Sequence, residues 1–141
     1  MSIQVIPVLK SKCCKFIVAA EAQGMNLRIT SGYRSVDEQN ALYAQGRTKP
    51  GNIVTKAKGG QSNHNFGLAF DVVEIKNGVA LWDNDWNKIE KLGKKFGFEW
   101  GGDWTSFVDL PHFQMTFGYE TSELLAMYNK GIMKNGYVKV K

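Results

Sequence analysis

The stretch Ser62–Glu74, SNHNFGLAFDVVE, restricts the possible folds of this chain more than any other. It alternates as a strand does, with Leu68, Phe70 and Val72 on one face and Ala69, Asp71 and Val73 on the other. A carboxylate sunk into hydrocarbon without a partner is costly, so Asp71 must be neutralised by a cation or excused by a turn or cap. His64, one of only two histidines, stands seven residues before it, with Gly67 and Ala69 between. Gly67 lets the chain turn tightly from loop to strand, and Ala69 leaves volume that metal, water and substrate would occupy.

Around this strand the sequence predicts an α+β fold, a small antiparallel β-sheet flanked by helices. Cys13, Phe16, Ile17 and Ala20 have helical spacing between Ser11 and Gln23, and Gly24 supplies a stop. NLRITSGYR sets Leu27 and Ile29 against Arg28 and Thr30, the pattern of a half-buried strand. Ser35 and Glu38 form a capping box that opens a helix ending near Gln45. Residues 46–63, rich in Gly and Lys, lack periodicity and are expected to form a long loop, functional or mobile. Asn77-Gly78 turns the Asp71 strand into a second one, VALW. A helix capped by Asn84 or Asp85 should bury Trp86, Ile89, Leu92 and Phe96 and end near Gly97. FEWGGDW and HFQMTF read as strand pieces, SELLAMYNK as a last helix ended by Gly131, and YVKV as an edge strand. Irregular mixing of helices and strands, joined by tight turns, favours antiparallel pairing.

The 141 residues are 43% hydrophobic and 22% charged, without repeats or low-complexity linkers, so one domain spanning 1–141 is expected. The start, Met-Ser-Ile-Gln-Val-Ile-Pro, lacks the features of a secretory signal, and no apolar run is long enough to span a membrane. Synthesis in a cytoplasm, without stable membrane insertion, is the expectation. Cys13 and Cys14 lack C-x-x-C spacing and read as free thiols. Eighteen basic against thirteen acidic residues give +5, which favours anionic polymers such as nucleic acid, cell wall or a membrane surface, or merely serves solubility. Lys134, Lys139 and Lys141 make a small basic tail, but no nucleic-acid-binding motif accompanies it.

His112 opens HFQMTF, where Phe113, Met115 and Phe117 take the apolar face and Gln114 and Thr116 share the other with His112. Were this strand to neighbour that of Asp71, then His112, Asp71 and His64 could converge. Two imidazoles and one carboxylate, with a fourth position open to water, form a catalytic zinc set, because structural zinc sites close all four positions, mostly with thiolates. Asp109 precedes His112 by three residues, on a segment stiffened by Pro111. There it could take a proton from the water and pass it to a leaving amine, a step worth roughly 10²–10⁴ in rate. The alternative is a turn acid. Arg34 follows a Gly-Tyr bend at a strand end and could grip a carboxylate through two hydrogen bonds. Its alternative is a surface salt bridge worth under about 1 kcal/mol.

SNHNFGLAFD resembles the S-x-H-x-x-G-x-A-x-D signature of zinc peptidases that include D-alanyl-D-alanine carboxypeptidases and phage or bacterial L-alanyl-D-glutamate endopeptidases, whose fold is shared with Hedgehog signalling domains. TSGYRS resembles that family's arginine segment and GGDW...DLPHFQ its closing motif, so the likeness spans about residues 28–115. It implies His64, Asp71 and His112 as Zn2+ ligands, Asp109 as catalytic acid/base and Arg34 as the partner of the substrate carboxylate or transition state. Ser62, Gln39 and Trp104 are the remaining substrate-site candidates. Many members carry a second histidine two residues before the last ligand, where this chain has Leu110; Gln114 or Trp104 could take over its supporting role.

In peptidoglycan stems the D-glutamate α-carboxylate is free beside the amide to L-alanine, and a terminal D-alanine offers a comparable carboxylate. One arginine plus zinc could serve either substrate. An aspartate at position 109 and the open Gly/Lys-rich loop favour the L-alanyl-D-glutamate endopeptidase, in the manner of phage endolysins, acting on the wall as a monomer after release through a pore. The alternatives are a D-alanyl-D-alanine carboxypeptidase, a non-catalytic wall-binding module of the same fold, and, on charge alone, a nucleic-acid binder.

Overall fold

The structure, a computed structural model, describes residues 4–140; the first three residues and Lys141 of the basic tail lie outside the described residues. Helix α1 spans Pro7–Ala22 and starts before Ser11 because Pro7 takes a first-turn position, where its missing N–H costs nothing. Leu9, Cys13, Phe16 and Ala20 form its buried face, while Ile17 is only partly covered. Strand β1, Leu27–Ser31, buries Leu27 and Ile29 and exposes Arg28 and Thr30. The capping box of Ser35 and Glu38 opens α2, Val36–Ala44. After the loop, a 3-10 turn at Asn63–Phe66 leads into β2, Ala69–Lys76. Positive φ at both Asn77 and Gly78 folds β2 back onto β3, Val79–Leu81.

Helix α3, Asn87–Lys95, departs from expectation at its start: Trp86 stands at the cap and makes no side-chain cap bond. Asn84 and Asp85 instead serve nearby amides, with Asp85 Oδ1 accepting from Asn87 N at 3.0 Å. Phe96 is only partly buried. Strand β4, Glu99–Trp100, runs into a 3-10 turn at Gly101–Asp103, and β5 is His112–Gln114. The expected HFQMTF strand is therefore cut short; Phe117 lies at φ 54°, in the left-handed region, and Thr116 does not continue the strand face. Helix α4, Thr121–Asn129, is followed by β6, Met133–Lys134, and β7, Tyr137–Val138. The YVKV segment is thus no edge of the main sheet but one arm of a separate hairpin, turned at Asn135-Gly136.

All strand pairs are antiparallel, and the main sheet runs β1-β2-β5-β4 with β3 also on β2. Its central strand is β2, where Asp71 is the register partner of Ser31 on one side and of His112 on the other. One sheet face carries Phe70 and Phe113 against α1, with the Phe16 ring 6.3 and 5.2 Å from theirs. Asp71 and His112 sit on the opposite face because side chains alternate along a strand. Ala69 and Val73 share that face and are fully buried.

The packing leaves no slack where α3 meets β5. A Cβ on Gly93 would lie 2.4 Å from Cε1 of Phe113, the residue following His112. Alanine would gain about 0.5–1 kcal/mol in helix preference. Overpacking costs typically about 1–3 kcal/mol, so the clash outweighs the gain. Gly93→Ala should accordingly lower the urea unfolding midpoint, with a net loss of roughly 1–2 kcal/mol; an unchanged or raised midpoint would mean that the ring moves aside freely.

Candidate metal centre

The 3-10 turn that presents His64 is built by its own side chains. Ser62 Oγ accepts from His64 N at 3.2 Å, and Asn65 Oδ1 accepts from Ser62 N at 3.2 Å and Gly60 N at 3.0 Å. Asn65 Nδ2 donates to the Arg34 carbonyl at 2.8 Å, while Arg34 N donates to the His64 carbonyl at 3.0 Å. The histidine and arginine segments are thereby stitched together. Gly67, at φ 71°, closes the turn in the left-handed region, where a Cβ would also strike the Tyr137 ring at 2.7 Å.

Three donor atoms meet at the mouth of the sheet. His64 Nε2 and His112 Nδ1 lie 3.2 Å apart, and each is 3.4 Å from Asp71 Oδ1. The far side of each ring shows which nitrogen carries hydrogen. His64 Nδ1 lies 2.8 Å from the Gly32 carbonyl, which can only accept, so Nδ1 is the donor and Nε2 keeps its lone pair. His112 Nε2 lies 2.8 Å from Gln114 Oε1, and Gln114 Nε2 donates to the Glu99 carboxylate at 2.9 Å. Because a carboxylate only accepts, the amide orientation is fixed, His112 Nε2 is the donor, and Nδ1 faces inward with its lone pair. Asp71 Oδ1 is buried and receives no hydrogen bond.

An unprotonated trio of this kind is repulsive until something positive sits among it. Donors around a tetrahedral ion at 2.0–2.2 Å would be about 3.3–3.6 Å apart, close to the spacing found here. All three donor atoms fall within 4.8 Å of one another, so the residues fit a divalent ion of the kind that takes imidazole and carboxylate. Burial alone would push the Asp71 carboxyl up, but whenever His112 or His64 takes up a second proton, on its inward nitrogen, hydrogen-bonding and charge outweigh burial and hold the carboxyl well below the usual range; with the nitrogens unprotonated that part falls to a bound cation.

Asp109 Oδ2 stands 3.9 Å from His112 Nδ1 and lines the same cavity. Burial, then the charge of Asp71, raises its pKa against the opposing pull of His112, His64 and Arg34. The Asp109 backbone packs so closely on Gly101 that a Cβ there would come within 2.3 Å of the Asp109 carbonyl. Asp109 N also donates to the Gly101 carbonyl at 3.0 Å. The Trp104 ring leans on His112 at 4.9 Å, and the exposed Leu110 offers the histidine nothing. Gln114 and Trp104 are therefore what supports His112 here.

Arg34 lines the cavity with its guanidinium held from behind: Nη1 donates to Gln39 Oε1 at 2.8 Å and Nη2 to Ser31 Oγ at 3.1 Å. Gln39, expected at the substrate, is instead 1% exposed; its amide also donates to the Ala57 carbonyl at 2.8 Å. It holds Arg34 and the loop, and does not line the cavity. Ser62 lines the cavity and also caps the 3-10 turn. Ala69 corrects a second expectation: it does not line the cavity but pairs in register with Gln114, beside whose side chain its small size leaves room. Asn65 was missed in the sequence, although its position three residues after Ser62 is a capping-box spacing. The cavity itself measures about 790 Å³, walled on one side by Val54–Ala57 and on the other by Trp104 and Phe107.

The family whose profile matches residues 55–115 is described as D-alanyl-D-alanine carboxypeptidase. The peptidoglycan L-alanyl-D-glutamate endopeptidase CwlK of Bacillus subtilis (strain 168) is 45% identical over 120 residues, covering 77% of this chain and 72% of that protein. The chain belongs to this metallopeptidase family. The L-alanyl-D-glutamate peptidase of Listeria phage A118 is 31% identical over 117 residues, covering 79% of this chain and 38% of the phage protein. Among solved structures, a variant of the vancomycin resistance D,D-pentapeptidase VanY in complex with Zn(II) has a TM-score of 0.61 at 18% identity, covering 86% of this chain and 78% of that one. The expected α+β Hedgehog/DD-peptidase fold is the one observed.

Proposed function

We propose that this chain is a zinc-dependent peptidoglycan endopeptidase that hydrolyses the L-alanyl-D-glutamate bond of stem peptides. The observation that carries the reading is the buried Asp71 oxygen, orphaned between two imidazole lone pairs with Asp109 beside them. His64, Asp71 and His112 would hold the ion. When bound, zinc lowers the pKa of its water to about 7 and polarises a substrate carbonyl. Asp109 Oδ2 takes a proton from the attacking water as the new C–O bond forms. The same oxygen returns it to the D-glutamate nitrogen as the amide C–N bond breaks, so the proton count balances. Arg34 pairs with the free α-carboxylate beside that nitrogen, and Gln39 and Ser31 keep its guanidinium aimed. Trp104 covers one flank of His112 and limits water there.

The endopeptidase reading draws support from the two relatives named for this bond and from a cavity near the upper end of the 300–1,000 Å³ typical of ligand sites. The family profile's description favours a second reading, a D-alanyl-D-alanine carboxypeptidase. No helix among the described residues is long and apolar enough to cross a membrane. The protein would act on the wall as a monomer, and its positive charge requires no nucleic-acid partner.

Purified wall treated with the enzyme should yield new N-terminal D-glutamate, and a chelator should stop the reaction; release of free D-alanine alone would favour the carboxypeptidase. Asp109→Ala should keep one bound zinc by elemental analysis while losing about 10²–10⁴ in kcat. His64→Ala should lose the zinc, and the reverse pattern would exchange the two roles. Zinc titration of Gln114→Leu should show affinity weakened by about 10–100-fold, the usual effect of removing a ligand's outer partner. Undiminished affinity would show that Gln114 does not orient His112. Walls bearing D-isoglutamine should be cut more slowly, whereas equal rates would remove Arg34 from the α-carboxylate.

A further inference from the structure

The loop beside the centre holds a charge that the reaction above does not use. Residues 46–60 contain Arg47, Lys49, Lys56 and Lys58 and no Asp or Glu, in a chain whose net charge is +5. Arg47 is occupied, donating to the Tyr43 and Thr55 carbonyls at 2.6 and 3.1 Å with its guanidinium 3.8 Å above the Tyr43 ring. Lys58 also lies over that ring, at 5.5 Å. Of the four cations, Lys56 is the one that lines the cavity.

Lys56 reaches from one lip of the cavity to the other. Its Nζ donates to Ser106 Oγ at 3.3 Å and sits 5.8 Å from the centre of the Phe107 ring. Both partners are neutral, and no carboxylate lies within ion-pair distance of Lys56 among the described residues. Phe107 holds its place at φ 52°, a backbone conformation that costs a non-glycine residue energy and that gathers at ligand clamps. An ammonium parked on a hydroxyl and over a ring face, with donors to spare, is prepared for an anion that arrives with the substrate.

The substrate limits which anion that can be. On the proposed reading the L-alanine side of the scissile bond leads to a neutral lactyl amide. The first carboxylate on the other side belongs to D-glutamate and falls to Arg34. Where the third stem residue is joined onward through its main-chain carboxyl, that residue carries an anion only if it is a diamino acid with a free carboxylate on its side chain, in place of lysine. We propose that Lys56, seated on Ser106, is an anion subsite for this second carboxylate, and that it makes the enzyme prefer stem peptides with an acidic diamino acid at the third position. The inference rests on the L-alanyl-D-glutamate reading and adds a specificity residue to it.

The test uses two synthetic N-acylated stem tripeptides amidated at the main-chain carboxyl of the third residue, L-alanyl-γ-D-glutamyl-diaminopimelate and L-alanyl-γ-D-glutamyl-lysine, with the zinc-loaded enzyme; only the first then carries a carboxylate on that residue. The wild type should favour the first in kcat/KM by about three- to fivefold, near the upper end of what an exposed ion pair contributes. The preference should shrink as salt is raised. Lys56→Met should bring the ratio close to one and Lys56→Arg should restore it. A preference that survives in Lys56→Met, or a wild type cutting both peptides equally, would overturn the subsite while leaving the reaction intact. If neither peptide is cut at the alanyl-glutamyl amide, the reading beneath it fails and the subsite with it.

Discussion

The register of two strands decides where everything else in the site stands. Asp71 on β2 faces His112 on β5 across an antiparallel pair, so a carboxylate and an imidazole share one side of the sheet. Because the side-chain period is two, a slip by one residue would drive both into the aromatic core and bring phenylalanines out. Phe70 and Phe113, the adjacent register pair, make that slip costly by anchoring the opposite face on Phe16. The apolar packing below and the polar convergence above are two consequences of one alignment.

Second partners then convert proximity into chemistry. Neither imidazole is free to choose which nitrogen bears hydrogen, since Gly32 and Gln114 claim the outer ones. What points inward is a concentration of lone pairs that folding alone leaves unsatisfied. Such an arrangement opposes the stability of the empty protein and favours the loaded one, because any ion bound only by the folded state stabilises it by an amount that grows with the logarithm of its concentration over Kd. An acid in this apolar strand stands on the face away from the aromatic core, with two imidazole nitrogens 3.4 Å from its carboxylate.

Much of this is legible in the amino-acid sequence. Alternation placed Asp71 and His112 on the non-core faces of their strands, and the capping box at Ser35 located α2. Asn77-Gly78 gave the hairpin. The failures have specific causes. Pro7 extended α1 beyond its apolar repeat, and Phe117 left the strand because its backbone turned left-handed. Short strands such as β6 and β7 carry too few residues for a period to register. Gln39, a substrate-site candidate in the sequence, is buried behind Arg34, a distinction that depends on tertiary packing. Asn65 and the Gly32 carbonyl act through hydrogen bonds to segments some thirty residues away, which no local pattern encodes.

Gln39 joins two parts of the active face that have no direct bond to each other. Its carbonyl oxygen accepts from Arg34, and its amide nitrogen donates to Ala57 and Thr55 on the loop. Lifting that loop would strand the donors of a fully buried amide, at a cost of about 1–3 kcal/mol for each group left bare. The placement of the loop and the aim of the guanidinium therefore rest on one amide, so that a change at Gln39 reaches both.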